Sequence, residues 1–146
     1  METLETVAET VDLLERTCPD FYLPNIWYGH PVTPIYRRKD ELAIRGSAYN
    51  WAHATMDADT AAALIEKMFA TVRGPTWLPF DLWSVFYLQR RGMSLGQIKT
   101  FVDGFNRLVR EKIAPHASPA EREASIEAMR EASRFGTVMG AIGARA

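Results

Sequence analysis

The sequence predicts an all-α protein: a small helical domain of four or five helices with an irregular Pro/aromatic segment toward its N-terminal end. Three observations predict it. Outside residues 18–56, apolar side chains recur at the helical i, i+3, i+4 spacing. Two capping boxes, at Ser94 and Ser118, mark helix starts. No internal repeat and no strand-hairpin series is visible. A chain of 146 residues suffices for one core and not comfortably for two. One domain is therefore expected over 1–135, followed by a flexible tail over 136–146.

Composition narrows the class. Apolar residues at 47% and charged residues at 24% exclude a wholly disordered or collagen-like chain. No run approaches the ~18 apolar residues of a membrane-spanning helix, so no membrane association is expected. The acidic, amphipathic start Met1-Glu2-Thr3-Leu4-Glu5 does not read as a secretory signal. The lone Cys18 excludes an internal disulfide framework and a cysteine-based zinc cluster. A cytoplasmic setting is expected.

The net charge of −1 conceals an uneven distribution. Residues 1–20 carry Glu2, Glu5, Glu9, Asp12, Glu15 and Asp20 against Arg16, a local −5. Residues 35–45 carry Arg37, Arg38, Lys39 and Arg45 against Asp40 and Glu41, a local +2. Residues 81–115 reach +3 through Arg90, Arg91, Lys99, Arg107, Arg110 and Lys112 against Asp81, Asp103 and Glu111. Local sign is what a polyanionic partner meets. A solvated mixed surface would read the same way.

Element by element, residues 2–16 place Leu4, Val7, Ala8, Val11 and Leu14 on one helical face, with Pro19 as the stop. Burial of Leu4, Val7, Val11 and Leu14 against the core or a symmetry partner is expected. Residues 18–56 interleave Pro19, Pro24, Pro31 and Pro34 with Phe21, Tyr22, Trp27, Tyr28 and Tyr36, and exit through Arg37-Arg38-Lys39. That spacing predicts a largely irregular segment, with a short element around Trp51. Residues 57–73 form a helix capped by Asp57 or Asp59, with a stripe of Leu64, Ile65, Met68, Phe69 and Val72. Gly74-Pro75 stops it. A helix opened by Pro79 carries Leu82, Trp83, Val85, Phe86 and Leu88, with Gly92 as its left-handed cap. Ser118-Pro119-Ala120-Glu121 opens a last helix running to about Phe135.

Between them lies the informative stretch, 80–113. Ser94-Leu95-Gly96-Gln97 is a capping box, and apolar residues follow at Ile98, Val102, Val109 and Ile113. Asp103-Gly104 would permit a tight turn, giving a support helix, a turn and a second helix. The same residues also form an unbroken stripe, Ile98, Phe101, Val102, Phe105, Leu108 and Val109, on one helix over 95–113. Glycine inside that helix costs about 1 kcal/mol, less than burial of the stripe returns. Both readings stand at this point.

The residues Tyr87, Gly92, Ser94 and Ile98, then Val102, Gly104, Val109 and Ile113, carry a resemblance. The stretch resembles the helix-turn-helix of sigma-factor region 4 and of phage late-gene antiterminators of the Q type. Trp27-Tyr28-Gly29-His30-Pro31 and Asp57-Ala58-Asp59 are similar to antiterminator sequences upstream. The resemblance implies a DNA-binding regulator of bacterial or phage transcription, acting on double-stranded DNA and on RNA polymerase or another large complex. On that reading Asn106, Arg107 and Arg110 read base edges, and Arg90, Arg91, Lys99 and Lys112 meet phosphates.

A second function class fits as well: a small helical interaction module that modulates a larger complex. Trp27, Tyr28, Tyr36, Arg37 and Arg38 are its expected contact residues, since aromatic and arginine side chains anchor interfaces. Trp27, Trp51, Trp77 and Trp83 are expected as core or interface anchors, and a homodimer is compatible with the acidic first helix. No enzyme activity is expected, nor catalytic residues, cofactor or metal. His30, His53 and His116 are scattered, His53 and Asp57 share only i,i+4 spacing, and Cys18 lacks basic neighbours apart from Arg16.

Overall fold

A computed structural model describes residues 1–113 and 117–134. The expected tail over 136–146, with Phe135 and His116, lies outside the described residues. The chain divides into two compact units. Met1–Pro19 and Pro24–Pro75 form the first; Asp20–Leu23 and the chain from Thr76 onward form the second. Five α-helices among the described residues make the fold mostly helical. It is not purely so, because four short strands pair into two two-stranded sheets. The expectation of an all-α fold is corrected to that extent. Backbone groups in the 18–56 region find partners in strand pairing, local for 45–52 and with residues 76–77 for 21–22, that proline spacing does not reveal.

In the first unit, α1 (Leu4–Thr17) begins at a capping box in which threonine replaces the usual acidic partner. Thr6 N–H donates to Thr3 Oγ1, while Thr6 Oγ1 accepts from Thr3 N–H. The helix ends where Cys18 turns left-handed at φ 44°, one residue before Pro19. None of its residues is buried, Leu4 is exposed, and Val7, Val11 and Leu14 are half-covered. The expected full burial of that stripe is not found, because the first unit covers the helix only partly. Pro34–Arg38 forms a 3-10 helix. A hairpin of β2 (Arg45–Ser47) and β3 (Asn50–Ala52) follows, in the register Gly46↔Trp51. Only glycine fits at 46: its φ is +72°, and a Cβ there would lie 1.9 Å from the Asn50 carbonyl oxygen. Then α2 (Ala58–Thr71) is capped by Asp57, whose carboxylate accepts from Thr60 N–H at 2.8 Å. Ile44, Trp51, Met56, Ala58, Met68 and Val72 are the buried apolar residues of this unit.

The second unit starts with β1 (Phe21–Tyr22), paired in parallel with β4 (Thr76–Trp77). Next come α3 (Leu82–Arg90), α4 (Leu95–Ile113) and α5 (Pro119–Ala132). Asp81 caps α3, rather than Pro79 opening it. Gly92 takes φ +98° between α3 and α4, as its position predicts. The Ser94 box forms: Gln97 Oε1 accepts from Ser94 N–H, and Gln97 N–H donates to Ser94 Oγ. Ser118 and Glu121 make the reciprocal pair that opens α5. The core joins Leu78, Val85, Met93, Ile98 and Val102, with Phe21, Leu23, Phe80, Leu88 and Phe101 packed against it. Each such aliphatic side chain contributes roughly 1.5–3 kcal/mol when fully buried.

Helix α4 runs unbroken through Asp103-Gly104. No turn forms there, so the single-helix alternative is the one realised. Gly104 is buried, and a Cβ on it would lie 2.5 Å from Met129 Cγ and 3.2 Å from the Ser125 carbonyl oxygen. The missing side chain lets α5 approach α4. The glycine that suggested a turn is a helix-packing contact.

Candidate interaction surfaces

Each unit presents a surface that the fold positions. In the first, the Gly29–Ala48 bridge sets the stage through two backbone hydrogen bonds, Gly29 N–H to Ala48 O at 2.8 Å and the reverse at 2.9 Å. Tyr28 and Tyr49 flank that bridge and meet edge-to-face with ring centres 5.0 Å apart, and both are exposed. Val32 and Ile35 are exposed in the same segment. Arg37 is exposed, whereas Arg38 forks onto Glu41, with Nε donating to Oε2 at 2.8 Å. That hydrogen bond and the arginine charge hold the Glu41 carboxyl below its usual range. Trp27 is half-buried edge-to-face against Trp51, whose indole N–H donates to the Trp27 carbonyl at 2.7 Å. Tyr36 donates its hydroxyl to the Gly46 carbonyl. Of the five expected contact residues, Tyr28, Arg37 and Arg38 therefore face outward, Arg38 paired with Glu41. Trp27 and Tyr36 are half-buried and hydrogen-bonded or packed within the unit.

The first unit also holds a cavity of about 260 Å³ lined by Trp27, Ile35, Ile44, Trp51, Met56 and His53 among others. His53 stacks on Trp51 with ring planes 7° apart. Its burial, and then the N-terminal ammonium, lower its pKa below the ordinary imidazole value, with Glu2 opposing. Asp57 caps α2 while His53 lies outside that helix, so the two do not share a helical face. Among the described residues no three His, Cys, Asp or Glu side chains converge as a metal site would need.

In the second unit the residues expected at DNA do not gather. Asn106 is 2% exposed, and its Nδ2 donates to the Trp77 carbonyl at 2.7 Å. It faces the interior and cannot read a base, which corrects its expected role. Arg107 is exposed, but its Nη1 lies 3.4 Å from Ser125 Oγ on α5. Arg110 is half-buried and engaged. Lys99 pairs with Asp20 at 3.4 Å. Arg90, Arg91 and Lys112 are exposed. The two arginines lie beside the start of α4 and Lys112 near its end, about 25 Å away at 1.5 Å per residue.

What sequence reasoning missed is the outer face of α3. Trp83 is 80% exposed, Tyr87 61% and Phe86 55%, and Leu82 lies beside them. Trp83 and Phe86 meet edge-to-face at 6.2 Å. Only Val85 on this helix is buried, with Leu88 half-buried. The signal was available: Leu82, Trp83, Val85, Phe86, Tyr87 and Leu88 surround a nine-residue helix, and a helix lying on a core can bury only one side. Contiguous exposed apolar surface of this kind is uncommon on globular monomers.

No protein-family model, no curated protein and no solved structure matches this chain. Among the described residues no helix is long and apolar enough to cross a membrane.

Proposed function

We propose that this protein is a non-enzymatic, cytoplasmic interaction module that binds and modulates a larger protein complex such as RNA polymerase. One observation carries the reading: the edge-to-face Tyr28–Tyr49 pair, exposed and flanking the Gly29–Ala48 bridge. Two aromatic rings held rigidly at the surface lose little conformational freedom on binding, which is the property of an interface anchor. The test is quantitative recovery of bound proteins from cells that make this chain, comparing the parent with Tyr28→Ala/Tyr49→Ala. A specific protein enriched with the parent should fall at least tenfold with the variant, at unchanged thermal melting. Equal recovery from both contradicts the reading.

A second reading, regulation of transcription through double-stranded DNA, is favoured by one feature. Helices α3 and α4 are joined by a short turn containing Gly92 at φ +98°, with Arg90 and Arg91 exposed at its edge. On this reading the helix-turn-helix lies about ten residues earlier than Asp103-Gly104. It rests on Arg90, Arg91 and Lys112 as phosphate contacts. A salt titration of duplex binding separates the two readings: phosphate contacts give a linear fall of log affinity with log salt, and Arg91→Ala flattens that slope by about one.

A further inference from the structure

We infer that the cavity of the first unit, walled by Trp27, Trp51 and Met56, binds a neutral aromatic compound of about two fused rings whose single hydrogen-bond acceptor meets His53. Size sets the first limit. The cavity measures about 260 Å³. A dry cavity of about 150 Å³ walled by aliphatic and aromatic side chains holds one benzene ring. Sites for drug-sized ligands begin at about 300 Å³. Two fused rings lie between those bounds.

The wall sets the second limit. Trp27, Ile35, Ile44, Trp51 and Met56 make it largely apolar. Ile44, Trp51 and Met56 are buried, whereas Ile35 and Glu2 are exposed, so the cavity reaches solvent. Trp27 and Trp51 meet edge-to-face with ring centres 5.3 Å apart. That contact, with the hydrogen bond from the Trp51 indole N–H to the Trp27 carbonyl, holds the aromatic part of the wall in one arrangement. A preformed wall leaves little ordering cost to binding.

His53 supplies the polar contact. Its ring lies on Trp51, planes 7° apart and centres 5.4 Å apart. Its Nδ1 accepts from Thr55 N–H at 3.3 Å, which puts the proton of the neutral ring on Nε2. Thr55 is itself tied down, because its hydroxyl donates to the Glu2 carbonyl at 2.6 Å. Among the described residues the Nε2–H of His53 has no hydrogen-bond partner. A donor fixed at an apolar wall selects a ligand that brings an acceptor, since covering it without one costs free energy.

Charge sets the last limit. Glu2 is the one lining residue with a fixed charge, and it is negative. An anion meets that carboxylate and gains no counter-charge from His53, which burial keeps neutral near pH 7. A cation gains little, because the Glu2 carboxylate is exposed to water and already accepts from the Thr6 hydroxyl at 2.6 Å. A neutral ligand is what remains. Neither Tyr28 nor Tyr49 lines the cavity, so the site is separate from the surface of the proposed function.

The probe is quinoline, two fused rings with one nitrogen acceptor, and naphthalene is its counterpart without an acceptor. Quinoline is titrated into the full chain near neutral pH and followed by proton–nitrogen NMR. The Trp51 indole N–H resonance should shift saturably, at concentrations on the order of 0.1–1 mM. Nuclear Overhauser contacts should join quinoline to the Met56 methyl. Ala61→Leu, which enlarges a side chain in the wall, should weaken binding at least tenfold. His53→Phe keeps a ring on Trp51 and removes the donor. It should weaken quinoline at least fivefold and leave naphthalene within twofold of the parent. Tyr28→Ala/Tyr49→Ala should leave quinoline binding unchanged, which keeps this outcome apart from the proposed function. Circular dichroism melting is the folding control, and the Overhauser contacts of the parent decide the location should a variant unfold. No saturable shift, Overhauser contacts only to residues outside the cavity, or a folded His53→Phe variant that binds quinoline like the parent overturns the inference. So does 1-naphthoate binding as tightly as quinoline.

Discussion

Asn106 is buried in the second unit, and its Nδ2 donates to the Trp77 carbonyl. The helix-turn-helix resemblance had implied a base edge for it. Asn106→Ala leaves that carbonyl without this donor, at about 1–3 kcal/mol. Melting should fall by roughly 3–10 °C, and duplex binding should not change beyond what unfolding explains. A variant that melts like the parent contradicts this. Four groups with lowered pKa values bear on the pH response, Glu41 among them through the hydrogen bond from Arg38. Asp57 is held low by hydrogen bonds from the Thr60 side chain and N–H, Glu121 by those from Ser118 N–H and hydroxyl, and His53 by burial. In each case the folded state binds fewer protons than the unfolded one, so stability rises with pH. The His53 contribution is complete above about pH 6.5 and is lost as pH falls below it. The Asp57 and Glu121 contributions are lost further down, below about pH 4. Urea melts across this range should show stability decreasing toward acid, and His53→Gln should flatten the upper part of the slope. The two caps were legible in the sequence because a cap is local. The burial of Asn106 and His53 was not, because it depends on elements far apart in the chain.

At the scale of the element, α4 carries two glycines with opposite expected effects. A Cβ on Gly96 meets nothing within 4 Å, whereas one on Gly104 collides with Met129 and the Ser125 carbonyl. Gly96→Ala should stabilise by up to about 1 kcal/mol, the helix-propensity gain. Gly104→Ala gains the same propensity but overpacks the α4–α5 contact, at about 1–3 kcal/mol, and should be net destabilising. Denaturant midpoints of the two variants moving in the same direction contradict this account of the helix pair. Helix existence was legible along most of the chain: α1, α2 and α5 lie close to where the apolar period and caps put them, α3 opens at Asp81 and not at Pro79, and α4 takes one of the two forms the pattern allowed. Two things were hidden. The pairing of β1 with β4 joins residues 21–22 to 76–77, and no local pattern announces so distant a partner. Gly104 was ambiguous because a glycine that permits a turn and a glycine that permits close packing leave the same mark in sequence.

For the molecule as a whole, the described residues form two compact units, each with its own buried apolar set and its own exposed aromatic face. The exposed aromatics of the first unit were partly in view in the sequence, since aromatics among prolines stand out. Tyr28 and Arg37 face outward, while Tyr49 comes to Tyr28 only through the hairpin. The α3 face went unread because periodicity shows which residues are apolar and not which side a neighbour covers. On the proposed function the Tyr28–Tyr49 surface contacts another protein. The test is a photoreactive phenylalanine derivative at position 28, irradiated in the cells that make this chain. A discrete covalent adduct with a different protein is expected, abolished when position 49 is changed to alanine. Irradiation yielding no adduct, or the same adduct irrespective of position 49, contradicts it.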